Sequence, residues 1–257
     1  MTKRRVFAIS DLHLDYAVNA QWVADLSLHE YQDDVLILAG DISDSPKLLA
    51  FCFSEMARRF HRVLYVPGNH DLWVLRFETD LDSLQKWELV RGLANAYGVL
   101  LEPWHEGELS IVPLLSWYDY SFGLPAAPLQ EAWMDFYACK WPSGWQAAEI
   151  SQHFLQANLP HLQHRNQKLI TFSHFMPRID IMPDDMPLAR RAIYPVLGSH
   201  ALDLQIRQLQ PQIHVYGHSH LNRRVLKDGI TYINNAFAYP NEKRIAAKQL
   251  LCIDEVG

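Results

Sequence analysis

Residues 66–73 read VPGNHDLW. They close an apolar run, HRVLYV (61–66), that has the character of a buried β-strand and stops at Pro67 and Gly68. Asn69, His70 and Asp71 then stand side by side. Asn, His and Asp are poor strand formers and contribute little to a core. Three coordinating side chains at the end of a strand pose a question for the other strands: do they end in the same way?

They do. The run RRVFAIS (4–10) is followed by Asp11-Leu12-His13, and DVLILAG (34–40) by Asp41. KLITFSH (168–174) ends on Ser173-His174, and IHVYGH (213–218) carries Gly217-His218-Ser219-His220. With Asn69 this makes five strand ends with metal-type ligands at the same relative place. In an open α/β sheet the carboxyl ends of strands converge on one edge, where ligand sites form. On an extended chain residues i and i+2 point the same way, which predicts that Asp11 with His13, and His218 with His220, aim into one cavity. The glycines before Asp41, Asn69 and His218 are expected to let backbone approach a bound ion or phosphate.

Further strand-like runs lie at 99–103, 109–117, 230–235 and 249–254. Helices are expected near 19–28, 146–158 and 198–209, and over 45–60, where Ser45-Pro46 makes a capping start. Another is expected over 79–97, with a capping box from Thr79 to Asp82 and a stop before Gly98. Strands alternating with helices predict an α/β architecture, and final strands without helices between them predict an antiparallel part. Residues 102–165 hold five of the eight tryptophans, Trp104, Trp117, Trp133, Trp141 and Trp145, among several prolines. With no linker around it, this segment reads as an aromatic-rich insertion into a single domain spanning 1–257. Its tryptophans either cover the site and stack on a planar group or pack the insertion onto the rest.

The chain of 257 residues is 49% hydrophobic, enough for a sizeable core, with a net charge of −6. A mildly acidic chain has no global electrostatic reason to bind duplex nucleic acid or an anionic membrane. Cys52, Cys139 and Cys252 are widely spaced and odd in number, which argues against a disulfide framework. The apolar stretch behind MTKRR is too short for a signal peptide, so a cytoplasmic protein is expected.

Asp11, Asp41, Asn69, His13, His174, His218 and His220 offer two carboxylates, one amide oxygen and four imidazoles. One cation cannot take all seven; two sharing a bridging Asp can. Imidazole-rich sites suit Mn, Fe, Zn or Ni rather than Ca or Mg. Two divalent or transition-metal ions would leave the site net positive, which suits a small phosphate-ester substrate.

The ordered set D-x-H, G-D, G-N-H-D, a lone His and G-H-x-H, spread over residues 6 to 220, resembles the calcineurin-like metallophosphoesterase superfamily. The resemblance implies a four-layer α/β/β/α sandwich of mixed sheets around a dinuclear site. It implies that Asp11, His13, Asp41 and His220 hold one metal, and that Asp41 as bridge, Asn69, His174 and His218 hold the other. His70 would face the substrate as acid on the leaving oxygen, with a metal-bridging hydroxide as nucleophile. Asp71 would orient an imidazole or cap the following helix. Where purple acid phosphatases carry a Tyr three residues after the bridging Asp, this chain has Asp44, so no iron–tyrosinate site is expected. Arg178, Arg190 and Arg191 are candidate phosphate clamps or surface charges. The main expectation is hydrolysis of phosphate mono- or diesters. The alternatives are a non-catalytic metal-binding scaffold for protein interaction and a nuclease acting on short oligonucleotides.

Overall fold

Alternation along the strands sets the layers. In the computed structural model, which describes residues 4–163 and 166–256, β1 (Arg4–Ile9) turns Val6 and Ala8 to one apolar cluster and Phe7 and Ile9 to another. β2 (Val35–Leu38) and β3 (Arg62–Tyr65) repeat the pattern, with Val35, Ile37 and Leu64 on the first side and Leu36, Leu38, Val63 and Tyr65 on the second. A period of two on a sheet covered on both faces requires apolar residues at every buried position, which is what these short strands carry after the arginines that open β1 and β3. β1, β2 and β3 run parallel, and the last strand, β10 (Leu251–Val256), adds antiparallel to β1.

Helices α1 (Ala17–Asp25), α2 (Pro46–Ala57) and α3 (Ser83–Ala96) cover the outer face with Val23, Leu49, Phe53, Met56, Trp87 and Val90. α3 starts later than the sequence suggests. Asp82 is its N-cap and forms the reciprocal box with Gln85, because the Thr79 carbonyl is bonded to Lys140 Nζ and the Ser83 amide to the Lys140 carbonyl.

The second sheet has the order β4 (Trp104–Glu106), β5 (Leu109–Pro113), β6 (Lys168–Phe172), β7 (Ile213–Tyr216), β9 (Ile230–Asn234) and β8 (Arg223–Lys227). Its centre is parallel and both edge pairs are antiparallel. Ile111, Ile170, Phe172, Val215 and Ile233 face the first sheet and close the inter-sheet core. The other face packs Leu169, Tyr216 and Tyr232 against Leu202, Ile206 and Leu209 of α8 (His200–Leu209). The result is the four-layer α/β/β/α sandwich of mixed sheets.

Some details differ from the sequence reading. Residues 99–103 form only a bridge from Leu100 to Leu64; Pro103 has no N–H to extend a ladder. Nothing in the sequence marks β4 and the polar edge strand β8, because neither carries an apolar run. The aromatic-rich segment gives its first residues to β4 and β5, then forms α4 (Ala127–Ala132), α5 (Asp135–Ala138) and α6 (Ala147–Ala157). Trp117, Trp133, Trp141 and Trp145 pack into the cluster under α1–α3. Residues 164–165, at the end of that segment, lie outside the described residues. α7 (Leu188–Arg191) follows β6 on an exposed stretch.

Candidate metal centre

Strand ends from both sheets meet where β1, β2, β3, β6 and β7 stop. Asp11, His13 and His220 bring ligand atoms within 4.8 Å of one another, as do Asp41, His174 and His218, and as do His13, Asp41 and His70. Asn69 Oδ1 lies 3.2 Å from His174 Nε2, which places it on the Asp41–His174–His218 side. All seven sequence-predicted donors thus share one locus, with His70 beside them.

The convergence does not come from a pleat. Asp11, His13, Asp41, His218 and His220 all have left-handed backbone, with φ between 44° and 65°. Non-glycine residues adopt this conformation rarely and at a cost, so the loops after β1, β2 and β7 are over-determined by their surroundings. The Asp11 carboxylate accepts from the His218 amide at 3.1 Å, and Asp41 Oδ1 accepts from the His70 amide at 2.9 Å. The glycines serve loop against loop rather than backbone against ligand. A Cβ on Gly40 would sit 2.6 Å from the Gly68 nitrogen and 2.6 Å from His174 Nδ1, and one on Gly68 would collide with the Asp41 carboxylate.

Three imidazoles have their outer nitrogen tied to an acceptor. His174 Nδ1 donates to the Ala39 carbonyl at 2.8 Å, His218 Nε2 to the Val196 carbonyl at 3.0 Å, and His220 Nδ1 pairs with Glu242 at 2.7 Å. That arrangement selects the tautomer that turns a lone pair to the centre. There, His13 Nε2 and His220 Nε2 lie 3.0 Å apart, and His174 Nε2 and His218 Nδ1 3.2 Å. Two lone pairs facing each other at such distances need a proton or a cation between them.

The charges agree. Burial pushes the Asp11 carboxyl up, but His220 more than reverses this and holds it at about 2. Asp41 is also opposed by burial, and His174 and His70 hold it well below the usual carboxylate range. Burial lowers His174 and His220, yet Asp41 raises the first to about 9 and Asp11 raises the second to about 10. Burial leaves His13 at about 4, and His70 and His218 at about 3. Two carboxylates are therefore balanced by two imidazolium protons, and metal ligation, which needs neutral imidazole, would exchange those protons for cations. Clustered buried imidazole and carboxylate donors suit transition metals.

The chain matches the profile of the calcineurin-like phosphoesterases over residues 4–222. The chain belongs to the calcineurin-like phosphoesterase family. Members of this family are metal-dependent phosphoesterases, which is the enzyme class expected from the sequence. A curated relative, the "[Acyl-carrier-protein] phosphodiesterase PptH" of Mycobacterium tuberculosis, is 33% identical over 129 residues; the match covers 46% of this chain and 38% of that protein's length. The crystal structure of phosphopantetheinyl hydrolase (PptH) from the same organism superposes with a TM-score of 0.82 at 24% identity, covering 98% of this chain and 97% of that one, which establishes a shared fold.

Around the candidate ligand cluster of this phosphoesterase lie Asp71, which the sequence had marked, and further groups that it did not single out. Asp71 is fully buried; its carboxylate accepts from the amides of Asp41, Ile42, Ser43 and Gly68 and from the Tyr65 hydroxyl, all at 2.8–3.0 Å. None of these partners is an imidazole, and it caps no following helix: Asp71 stitches the loop after β2 to the loop after β3. Glu242 orients His220, and Tyr239 lies 4.4 Å, centroid to centroid, from the His13 ring. The Trp73 indole stacks on His70 at 3.7 Å. Asp135 bonds Asn69 at 2.8 Å. Glu242 and Asp135 sit outside every motif, so only spatial contact reveals them.

Of the three arginines, Arg178 is committed to Asp180 and Asp228, at 2.5 Å and 2.8 Å, and is not a phosphate clamp. Arg190 and Arg191 lie exposed on α7 and do not line the cavity at the centre. That cavity, about 320 Å³, is walled by Trp73, Trp133, Met134, Ile193 and Tyr239, with His70, His218 and His220 at the metal end. Among the described residues no helix is long and apolar enough to cross a membrane.

Proposed function

We propose that this phosphoesterase holds two divalent or transition-metal ions and hydrolyses a phosphodiester joined to an uncharged, extended arm. The carrying observation is the meeting of seven donors from both sheets at one end of an aromatic-walled cavity. One cation would be held by Asp11, His13, Asp41 and His220, and the other by Asp41, Asn69, His174 and His218. Bound there, such ions supply charge to the phosphate and bring a water's pKa toward neutrality.

The chain's own residues do the rest. His70 lies at the cavity, its side chain 16% exposed, with its ring plane set by Trp73 and its backbone held by Asp41. Burial pushes its imidazole down to about 3, and an anionic ester beside it favours the protonated form. As an oxygen from water bonds to phosphorus and the bond from phosphorus to the leaving oxygen breaks, protonated His70 gives its proton to that leaving oxygen. Asp71 keeps Asp41 and Gly68 in register, so that the Asp41 carboxylate and His70 keep their spacing. The indoles of Trp73 and Trp133 exclude water from the neighbouring arm.

The cavity wall speaks to substrate class. Among the described residues its lining holds no lysine or arginine, so no ammonium or guanidinium meets a second phosphate and the lining disfavours an oligonucleotide. An amide- or thioether-bearing arm suits tryptophan and methionine walls. The likeness to a protein named as an acyl-carrier-protein phosphodiesterase supports the same class. We also read residues 1–257 as one metallophosphoesterase domain, with the aromatic-rich insertion at about 102–165 supplying the wall.

The test is turnover of p-nitrophenyl phosphate, bis-p-nitrophenyl phosphate and phosphopantetheine-loaded acyl carrier protein by manganese-loaded enzyme, with bound metal counted. Release of phosphopantetheine, with the diester dye preferred to the monoester, is the expected result. Two bound ions without turnover of any of the three would instead establish a scaffold.

A further inference from the structure

Asp135 begins α5 in the aromatic-rich segment and is only 2% exposed. Its Oδ1 accepts from Asn69 Nδ2 at 2.8 Å and from the Trp73 indole at 2.7 Å; its Oδ2 accepts from the Trp133 indole at 2.8 Å. Three N–H donors therefore converge on one buried carboxylate. Each donor belongs to a different part of the site. Asn69 is a proposed metal ligand, Trp73 stacks on His70, and Trp133 stands edge-on to His218 with centroids 5.8 Å apart.

We infer that Asp135 is a positioning residue that couples the aromatic-rich segment to the metal centre. The inference rests on the metal-centre reading above. The two ends of an amide side chain are nearly equal in shape and opposite in chemistry. At Asn69 only the carbonyl oxygen can ligate a cation, and an NH₂ turned that way would repel it. A carboxylate behind the NH₂ decides the orientation, because it accepts and cannot donate. The same oxygen holds the Trp73 indole, so the plane that seats His70 and the ligand atom of Asn69 share one anchor. The second oxygen fixes the wall indole. Such outer partners of metal ligands orient the donor atoms and strengthen ligation.

The experiment is manganese(II) titration by equilibrium dialysis of the wild-type chain, Asp135→Asn, Asn69→Ala and the double variant. It is read beside kcat and KM for bis-p-nitrophenyl phosphate and the indole N–H resonances of metal-free protein. Asp135→Asn keeps the size but turns an NH₂ toward at least one N–H donor. One manganese equivalent should weaken about ten- to hundredfold, with kcat falling more than KM rises. The resonances of Trp73 and Trp133 should move in the metal-free variant. In the Asn69→Ala background the same change should alter manganese affinity less than about twofold, because its route to the metal is already gone. Unchanged affinity in folded Asp135→Asn, or a full-sized further loss in the double variant, overturns the inference. Should Asp135→Asn fail to fold, Asp135→Glu keeps the charge and shifts the oxygens, and wild-type affinity in that variant overturns it equally. A wild-type chain that binds no manganese while its indole resonances still respond to Asp135→Asn defeats the metal reading and leaves the hydrogen-bond anchor standing.

Discussion

The two sheets bring different chemistry to the same cavity. Loops after β1, β2 and β3 supply both carboxylates, the amide, His13 and His70, whereas loops after β6 and β7 supply only imidazoles: His174, His218 and His220. Negative charge enters from one half and the imidazoles that balance it from the other. The halves are fastened by the pairs this asymmetry creates, with Asp41 Oδ2 3.4 Å from His174 and Asp11 Oδ1 3.3 Å from His220. A site between two sheets is therefore also a seam between them, and its occupancy bears on stability as well as on turnover.

The largest test of this asymmetry is Asp41→Asn. Among the described residues, Asp41 is the one carboxylate that reaches His13, His70, His174 and His218. Its loss should remove both cations and lower turnover on the order of 10⁴-fold, since residues that act as a unit fail together; metal content and kcat measured together check it. Retention of both ions would show that charge is not concentrated in one half. Next comes His70→Ala, which lies on the carboxylate-bearing half but is assigned no metal. It should keep both ions and lose about 10²–10⁴-fold in kcat, and unchanged turnover would remove it from the reaction.

Saturation with manganese is a smaller effect and bears on the seam directly. At about a hundredfold excess over Kd, ligation adds ~2.7 kcal/mol to stability. For a domain of this size that is a rise of roughly 5–10 °C in Tm, readable by calorimetry with and without chelator. No rise would mean that the halves do not depend on the centre.

The smallest effect comes from charges that never cross between sheets. Arg178 holds Asp180 down to about 2, with burial opposing. A carboxyl whose folded pKa lies below its unfolded value stabilises the fold above the unfolded pKa and loses that contribution as pH falls toward the folded one. Asp180→Asn should therefore reduce the acid dependence of unfolding between about pH 4 and 2. It should cost no more than about 1 kcal/mol at neutral pH, since the Asp180 side chain is 44% exposed and screened.

Much of this molecule is legible along the chain. The seven donors stand immediately after β-type runs, and Gly40 and Gly68 mark where loops must touch. The inward and outward faces of β1 and β2 follow from uninterrupted apolar runs, which only a sheet covered on both sides can use. Other features were misread for local reasons. The pairs Asp11–His13 and His218–His220 suggested extended strands pointing two side chains one way, but each pair lies in left-handed turns beyond its strand. Arg178, from the sequence either a phosphate clamp or a surface charge, is instead paired with Asp180 and Asp228.

The sequence by itself determined an α/β fold whose strand ends carry Asp, Asn and His, and the order of its motifs implied the sandwich, because strand-end motifs are local and their residue types are unambiguous. Only the tertiary structure decided what holds those donors in place. Asn69 meets Asp135 across 66 positions, and His220 meets Glu242 across 22. A carboxylate in an aromatic-rich segment has no periodicity or spacing to announce it; its role exists only once folding removes it from water and leaves three N–H groups with nowhere else to bond.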